Sequence, residues 1–320
     1  MRKQAFIGAF IALGCGLIVT ACSNEDNVDN VNKGPVEARI SANIESLATR
    51  AAGTAWTDGD AIGVTGTSGS QLYDNVQYVY SATTQPNFTL ASGESPIYFQ
   101  NTDDVTFTAY YPYAESVSTT SASISKTISA ADQSTTPDSE TGFTPQSQID
   151  YLYGTGTGGV GTNGEVNFTF NHKMSQLVLN FIVGDDVNLN DLANYTLQGL
   201  KMQGTFDTSD GEASADAEAQ AADLTINAET GYYDATNHTS TLILFPQAAT
   251  SATLCVSLGG QTYTATLNFP TASAVQGLES GYSYTYNVTV SKDEMVVAKA
   301  DIYPWQAGNG NSGQDVEAGM

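Results

Sequence analysis

Near its N-terminus the chain contains a stretch in which apolar and polar residues alternate without interruption. Its apolar positions are Val36, Ala38, Ile40, Ala42 and Ile44. The positions between them, and Glu45 after them, are polar or charged. A period of two is typical of a β-strand that buries one face and exposes the other. We therefore predict a half-buried strand over residues 36–45.

The rest of the chain repeats this pattern in short segments about ten residues apart, separated by turn residues. Clear examples are residues 105–111, which end at Pro112, residues 177–183 and residues 282–290. Residues 116–148 are rich in Ser and Thr and predict loops with one strand at 124–128. Only the Ala-rich stretch 212–223 suggests a helical turn. Strands without intervening amphipathic helices predict an all-β protein built of sandwiches rather than a parallel sheet.

The C-terminal region alternates again over residues 296–303. Val296, Ala298, Ala300 and Ile302 are predicted to share one face, and Pro304-Trp305 follows them. Both ends of the chain thus carry a strand that a sheet edge could accept. The glycine run 154–164 suggests a domain boundary, which gives domains at 36–164 and 165–320.

The first 21 residues have the organisation of an export signal: Arg2 and Lys3, then an apolar region, then small residues. Val19-Thr20-Ala21-Cys22 resembles the bacterial lipobox. That resemblance implies lipidation of Cys22, removal of residues 1–21 and attachment to the outer membrane. An ordinary signal peptide is the alternative. Residues 22–35, rich in Asn and Asp, predict a flexible tether with a reach on the order of 20 Å.

A cleavable site follows the first strand. Residues 46–53 are small side chains around Arg50, as in exposed loops that proteases cut. Arg50 is also the last arginine of the chain. An arginine-specific protease could therefore cut between Arg50 and Ala51 without damaging the remainder. Arg39 offers a second cut, but a paired strand would protect it.

Charge and chemistry exclude several function classes. The formal net charge of −24 argues against binding nucleic acid, and Cys255 has no cysteine partner once the signal is removed. Gly154–Gly159 matches a dinucleotide fingerprint, but a strand follows it, which favours a linker or hairpin. The two histidines, His172 and His238, cannot form a histidine-rich metal site. We expect no cofactor, no metal centre and no enzymatic activity, with incidental cation binding left open at Asp207–Glu212.

Several segments together resemble one family, and their order extends over nearly the whole chain. They are the lipobox at Cys22, Thr49-Arg50, Trp56–Val64, Phe107–Tyr113, Phe168–Leu177, Leu244–Gln247 and Gly281–Val290. In this order they are similar to the fimbrillin (Mfa-like) family of Bacteroidales surface pilins. The resemblance implies two tandem transthyretin-like (Greek-key) β-sandwich domains, export as a palmitate-bearing outer-membrane lipoprotein, trimming by an arginine- or trypsin-like protease and polymerisation by strand exchange.

Carried onto this sequence, the resemblance makes Cys22 the lipidated residue and Arg50 the cleavage site. Residues 36–45 would be the strand given up, and 296–303 the donor strand. The partners would be other pilin subunits of a cell-surface fimbria. An alternative keeps the fold without the polymer: a surface lipoprotein that binds a host glycan or protein through exposed Tyr and Trp.

Overall fold

A computed structural model of the protein describes residues 35–45, 55–229, 231–271 and 276–305, which form an all-β fold. The strands are β1 (Val36–Glu37), β2 (Arg39–Ile44), β3 (Ala61–Ser68), β4 (Gln71–Tyr80), β5 (Phe88–Leu90), β6 (Tyr98–Phe99), β7 (Val105–Tyr111), β8 (Ser123–Thr127), β9 (Leu152–Gly158), β10 (Glu165–His172), β11 (Ser175–Val183), β12 (Leu192–Lys201), β13 (Gln203–Asp207), β14 (Ala213–Ala215), β15 (Ala221–Asn227), β16 (Thr239–Leu244), β17 (Ser251–Leu258), β18 (Gln261–Asn268), β19 (Tyr282–Val290), β20 (Met295–Val297) and β21 (Asp301–Pro304). Short 3-10 helices occur at Ala131–Gln133, Gln146–Ile149, Val160–Thr162 and Leu189–Asp191. No helix in the described part of the chain is long and apolar enough to cross a bilayer.

The first large sheet contains seven strands in the order β2-β10-β9-β7-β3-β4-β5. Along β10 the buried positions are Val166, Phe168, Phe170 and His172, which alternate with polar residues. This period of two directs Val166, Phe168 and Phe170 into one core. That core also receives Ile62, Val64 and Phe107 from β3 and β7 of the same sheet.

A second core lies between two further sheets. One has the order β16-β11-β19-β20, with β21 also paired to β19, and the other has the order β15-β12-β17-β18. Strand β17 alternates strictly, with Ala252, Leu254, Val256 and Leu258 buried. Sheets packed face to face in this way confirm the predicted all-β sandwich architecture.

A three-stranded sheet, β14-β13-β8, joins the two halves of the chain. The strand predicted at 124–128 is present as β8, and it pairs antiparallel with β13 from the second half. The associated third core includes the ring of Tyr151 stacked on that of Phe206, with centroids 4.8 Å apart. The helical turn expected within 212–223 is wrong, because β14 and the start of β15 occupy half of this stretch and no helix lies between them.

The glycine run 154–164 forms strand β9 and the turn that leads into β10, which confirms a hairpin. A Cβ atom on Gly154 would lie 2.5 Å from the carbonyl oxygen of Thr169, so the adjacent strand leaves no room for a side chain. The domain boundary proposed at 164/165 falls inside this hairpin, and β10 belongs to the first sheet. The division into two domains stays a prediction.

Candidate functional site: the first strand and its slot

The first strand, residues 36–44, lies at the edge of the first large sheet. Its longer part, β2, runs parallel to β10 from Arg39 opposite Glu165 to Ile44 opposite Phe170. Its shorter part, β1, pairs antiparallel with the two residues of β6. One full ladder and one short ladder therefore connect the first strand to the rest of the fold.

The apolar side chains of the first strand face the core, as the alternation predicts. Ala38, Ile40 and Ala42 are 4%, 0% and 1% exposed, and Val36 and Ile44 are half-buried against the same core. Burial of a large aliphatic side chain contributes about 1.5–3 kcal/mol. The strand is thus an integral part of the core although it is an edge strand. We call the space that it occupies the slot.

Two side chains of the neighbouring segments hold the strand at Ala42. The Ala42 N–H donates to Asn87 Oδ1 at 3.1 Å, and Asn87 Nδ2 donates to the Ala42 carbonyl at 3.2 Å. Trp56 Nε1 donates to the same carbonyl at 3.1 Å. Trp56 begins one of the segments that carry the family resemblance, but no sequence pattern around Asn87 indicates its role.

Trp56 is fixed by an aromatic cluster at this end of the slot. Its ring meets Phe88, Tyr111 and Phe170 edge to face, with centroid distances of 5.1, 5.5 and 5.2 Å. Such pairs contribute about 0.5–1.5 kcal/mol beyond burial. The indole is therefore positioned by the body of the protein and not only by the first strand.

A cavity of about 360 Å³ lies beside this cluster, and Ile44 forms part of its wall. Trp56, Tyr111 and Phe143 give it apolar surface, while Asp60 and Asp150 give it carboxylates. The Tyr111 hydroxyl donates to Asp60 Oδ1 at 3.0 Å. Burial raises the pKa of Asp60 above its usual value of 3.8, because the charged carboxylate loses hydration.

The C-terminal strand differs from its prediction. Residues 296–303 form two strands, β20 and β21, both paired with β19 and separated by residues 298–300. Val296 is 51% exposed and Ala298 is also exposed, whereas Ala300 and Ile302 are buried. The prediction that residues 296, 298, 300 and 302 share one face is therefore wrong, because the break between β20 and β21 shifts the alternation. The donor role of this segment stays a prediction.

Both histidines have structural environments. His172 is buried, its Nδ1 lies 2.9 Å from Asp150 Oδ1, and its ring stacks on Trp305 with centroids 3.9 Å apart. His238 adopts a positive φ of 54° in a turn, and its Nδ1 lies 2.8 Å from the Tyr233 hydroxyl. His172 is therefore a packed side chain of the fold.

In the described ranges, no group of three or more His, Cys, Asp or Glu residues is placed to hold a metal ion. Asp207 Oδ1 accepts a hydrogen bond from the Ser209 N–H at 2.8 Å, which closes a turn. Cys22, Arg50 and Ala51 lie outside the described residues, so lipidation and cleavage stay predictions.

Fold and site together define an all-β sandwich protein with an N-terminal edge strand that completes a hydrophobic core. A profile of the family described as fimbrillin-like matches residues 49–305. The chain therefore belongs to the fimbrillin-like family.

Individual relatives agree with this family. The chain is 29% identical over 325 residues to a Bacteroides uniformis protein named as a candidate fimbrium subunit, Fim1C, with 97% of each chain covered. It resembles the crystal structure of a candidate cell adhesion protein from Bacteroides ovatus, with a TM-score of 0.68, 31% identity, and coverage of 85% of this chain and 99% of the other.

A second candidate cell adhesion protein, from Bacteroides uniformis, shares the fold, with a TM-score of 0.64, 22% identity, and coverage of 85% and 98%. The family and the Fim1C relative indicate a structural subunit of a cell-surface fimbria rather than an enzyme. Such a subunit associates with other pilin subunits.

Proposed function

We propose that this protein is a fimbrial subunit that polymerises by β-strand exchange. The precursor is exported as a lipoprotein and anchored to the outer membrane at Cys22. A protease that recognises arginine cuts between Arg50 and Ala51. The fragment that ends at Arg50 leaves with the first strand, and a strand of another subunit enters the slot.

One observation carries this proposal: the first strand fills the core but is connected to the body through few backbone ladders. Ile40 is fully buried, yet β2 pairs with β10 alone, and β1 pairs with the two residues of β6. Loss of such a strand leaves apolar side chains and unpaired backbone groups of β10 at an open edge. An open edge of this kind recruits another strand.

The position of the arginines supports the same sequence of events. Arg50 lies in the sequence between β2 and β3, so a cut there detaches the first strand and leaves β3–β21 in one chain. Arg39 belongs to β2, and its N–H donates to the Gly164 carbonyl at 2.8 Å. A protease needs an extended, accessible backbone, so pairing protects Arg39 while the strand is in place.

The donor strand is proposed to come from residues 296–302 of a neighbouring subunit. In its own subunit this segment is held by two short pairings with β19. Val296 and Ala298 are exposed there, so their apolar side chains are available for a new core. Ala300 and Ile302 would have to leave their present buried positions.

Cleavage and assembly can be tested together. The purified chain is treated with an arginine-specific protease, the products are weighed by mass spectrometry, and the solution is imaged by electron microscopy. We expect a single cut after Arg50 followed by fibres, and neither with Arg50→Gln. Lys126→Gln is the matched control, because it removes a positive charge outside the cleavage site. A clean cut without fibres would contradict the proposal.

A second candidate function is adhesion without polymerisation. The cavity beside Trp56, with its aromatic walls and its Asp60 and Asp150 carboxylates, combines stacking surfaces with hydrogen-bond acceptors for sugar hydroxyls. The solved relatives described as cell adhesion proteins agree with such a role. Binding of a glycan by the uncut chain, lost in Trp56→Ala and kept in Trp305→Ala, would support this candidate.

A further inference from the structure

The part of the first strand around Ala42 pairs with β10 on one side. On its other side, side chains make the hydrogen bonds to its backbone. Arg39 and Glu45 donate their N–H groups to the carbonyls of Gly164 and Phe170, on the β10 side. In a strand the N–H and carbonyl of one residue point to the same side, and successive residues alternate between the two sides, so the N–H and carbonyl of Ala42 point away from β10. Asn87 binds both of these groups through its amide.

A primary amide carries the same donor and acceptor as a peptide group. Asn87 therefore replaces the strand that would otherwise flank Ala42. Trp56 adds a second donor to the same carbonyl at 3.1 Å. Asn87 and Trp56 follow Arg50 in the sequence, so both remain in the body after the proposed cut.

The side chain of Ala42 sets a second requirement at the same point. It is 1% exposed and lies opposite Phe168 in the register with β10, which is itself buried. Closely packed cores do not accept extra methyl groups without displacing their neighbours. A larger residue in this position would push the backbone away from Asn87 and Trp56.

We infer that Asn87 and Trp56 form a peptide-recognition site that admits only a strand with Ala or Gly at the position of Ala42. The identity of the natural partner rests on the proposed strand exchange. In that exchange, an alanine of segment 296–302 of the neighbouring subunit takes the position of Ala42. The two side chains thus determine which strands can occupy the slot and in which register.

The recognition site is tested first in the uncut chain by amide hydrogen exchange with mass spectrometry. Asn87→Ala removes two hydrogen bonds, so exchange in residues 39–45 should accelerate at least about tenfold relative to β12 in the second core. Thr89→Ala, an exposed position of β5, is the matched control and should change neither region. Unchanged exchange in residues 39–45 would overturn the inference.

A second variant distinguishes a local effect of Asn87 on the first strand from a general loosening of the first large sheet. Asn87→Asp keeps an acceptor for the Ala42 N–H but loses the donor to its carbonyl. It should accelerate exchange in residues 39–45 more than in β3. Equal acceleration of both segments would overturn the inference.

Selectivity is tested with synthetic peptides of residues 36–45 added to the chain after arginine-specific cleavage. The unaltered peptide and Ala42→Gly should bind with similar affinity, and Ala42→Val at least about tenfold more weakly. Equal binding of all three, or binding of none, would overturn the selectivity. Peptide binding in this order without fibre formation would instead refute the proposed polymerisation and leave the recognition site standing.

Discussion

Replacement of Ile40 by alanine tests how strongly the core retains the first strand. Ile40 is fully buried in the first core, and an isoleucine-to-alanine change at such a site costs about 2–5 kcal/mol. Each 1.4 kcal/mol corresponds to about a factor of ten in an equilibrium constant. If the whole effect appears in dissociation, the cut fragment of Ile40→Ala should leave its slot at least about 30-fold faster than the unaltered fragment.

The dissociation can be followed with a fluorophore on the N-terminus of the fragment. The chain is cut after Arg50, excess unlabelled peptide is added, and the decay of anisotropy gives the dissociation rate. Asn43→Ala is the matched control, since Asn43 is exposed on the same strand. If the Ile40→Ala fragment leaves no faster than the Asn43→Ala fragment, burial of Ile40 does not retain the strand.

Three further predictions follow from charge, burial and stacking. Assembly of the cut chain should accelerate with salt, measured by light scattering, because a net charge of −24 makes subunits repel and salt screens that repulsion; equal rates at low and high salt would contradict this. Burial raises the pKa of Asp60, so the folded state keeps this carboxyl protonated to a higher pH than the unfolded state does. The resulting contribution to the free energy of unfolding falls as the pH rises from 3.8 through the raised pKa. Urea unfolding should therefore show the wild type losing stability relative to Asp60→Asn over that interval, and a pH-independent difference would argue against the assignment. Trp305→Ala removes the stack on His172, at 3.9 Å, and should accelerate amide exchange in residues 301–303, whereas Tyr303→Ala, at an exposed position, should not.

The strands that alternate strictly in sequence are present in the structure. The first strand, β10 and β17 each bury every second residue, because the pleat directs alternate side chains to one core. Sequence alone could not show that β2 pairs with β10 in parallel, since that pairing joins segments far apart in the chain. Nor could it show the role of Asn87, because its amide reaches Ala42 only when the fold brings the loop before β5 beside the first strand.

The prediction of one shared face over residues 296–302 failed for a clear physical reason. Val296 and Val297 are both apolar, so either of them satisfies an alternating pattern, and the change of face after β20 was not readable from the sequence. The sequence also did not identify strand β9, because it contains glycines at 154, 156 and 158, and glycine is disfavoured in strands. Its presence there reflects the close approach of β10, which is a property of the folded sheet.

The pairing of β8 with β13 determines how a pulling force would pass through a subunit. Five residue pairs, from Ser123 opposite Asp207 to Thr127 opposite Gln203, connect the two halves side by side. In the proposed filament, tension would enter through the N-terminal part of the subunit, where the slot lies, and leave through the C-terminal donor segment. A pull along β8 and β13 would load the hydrogen bonds between them simultaneously, so the two halves would bear the load together.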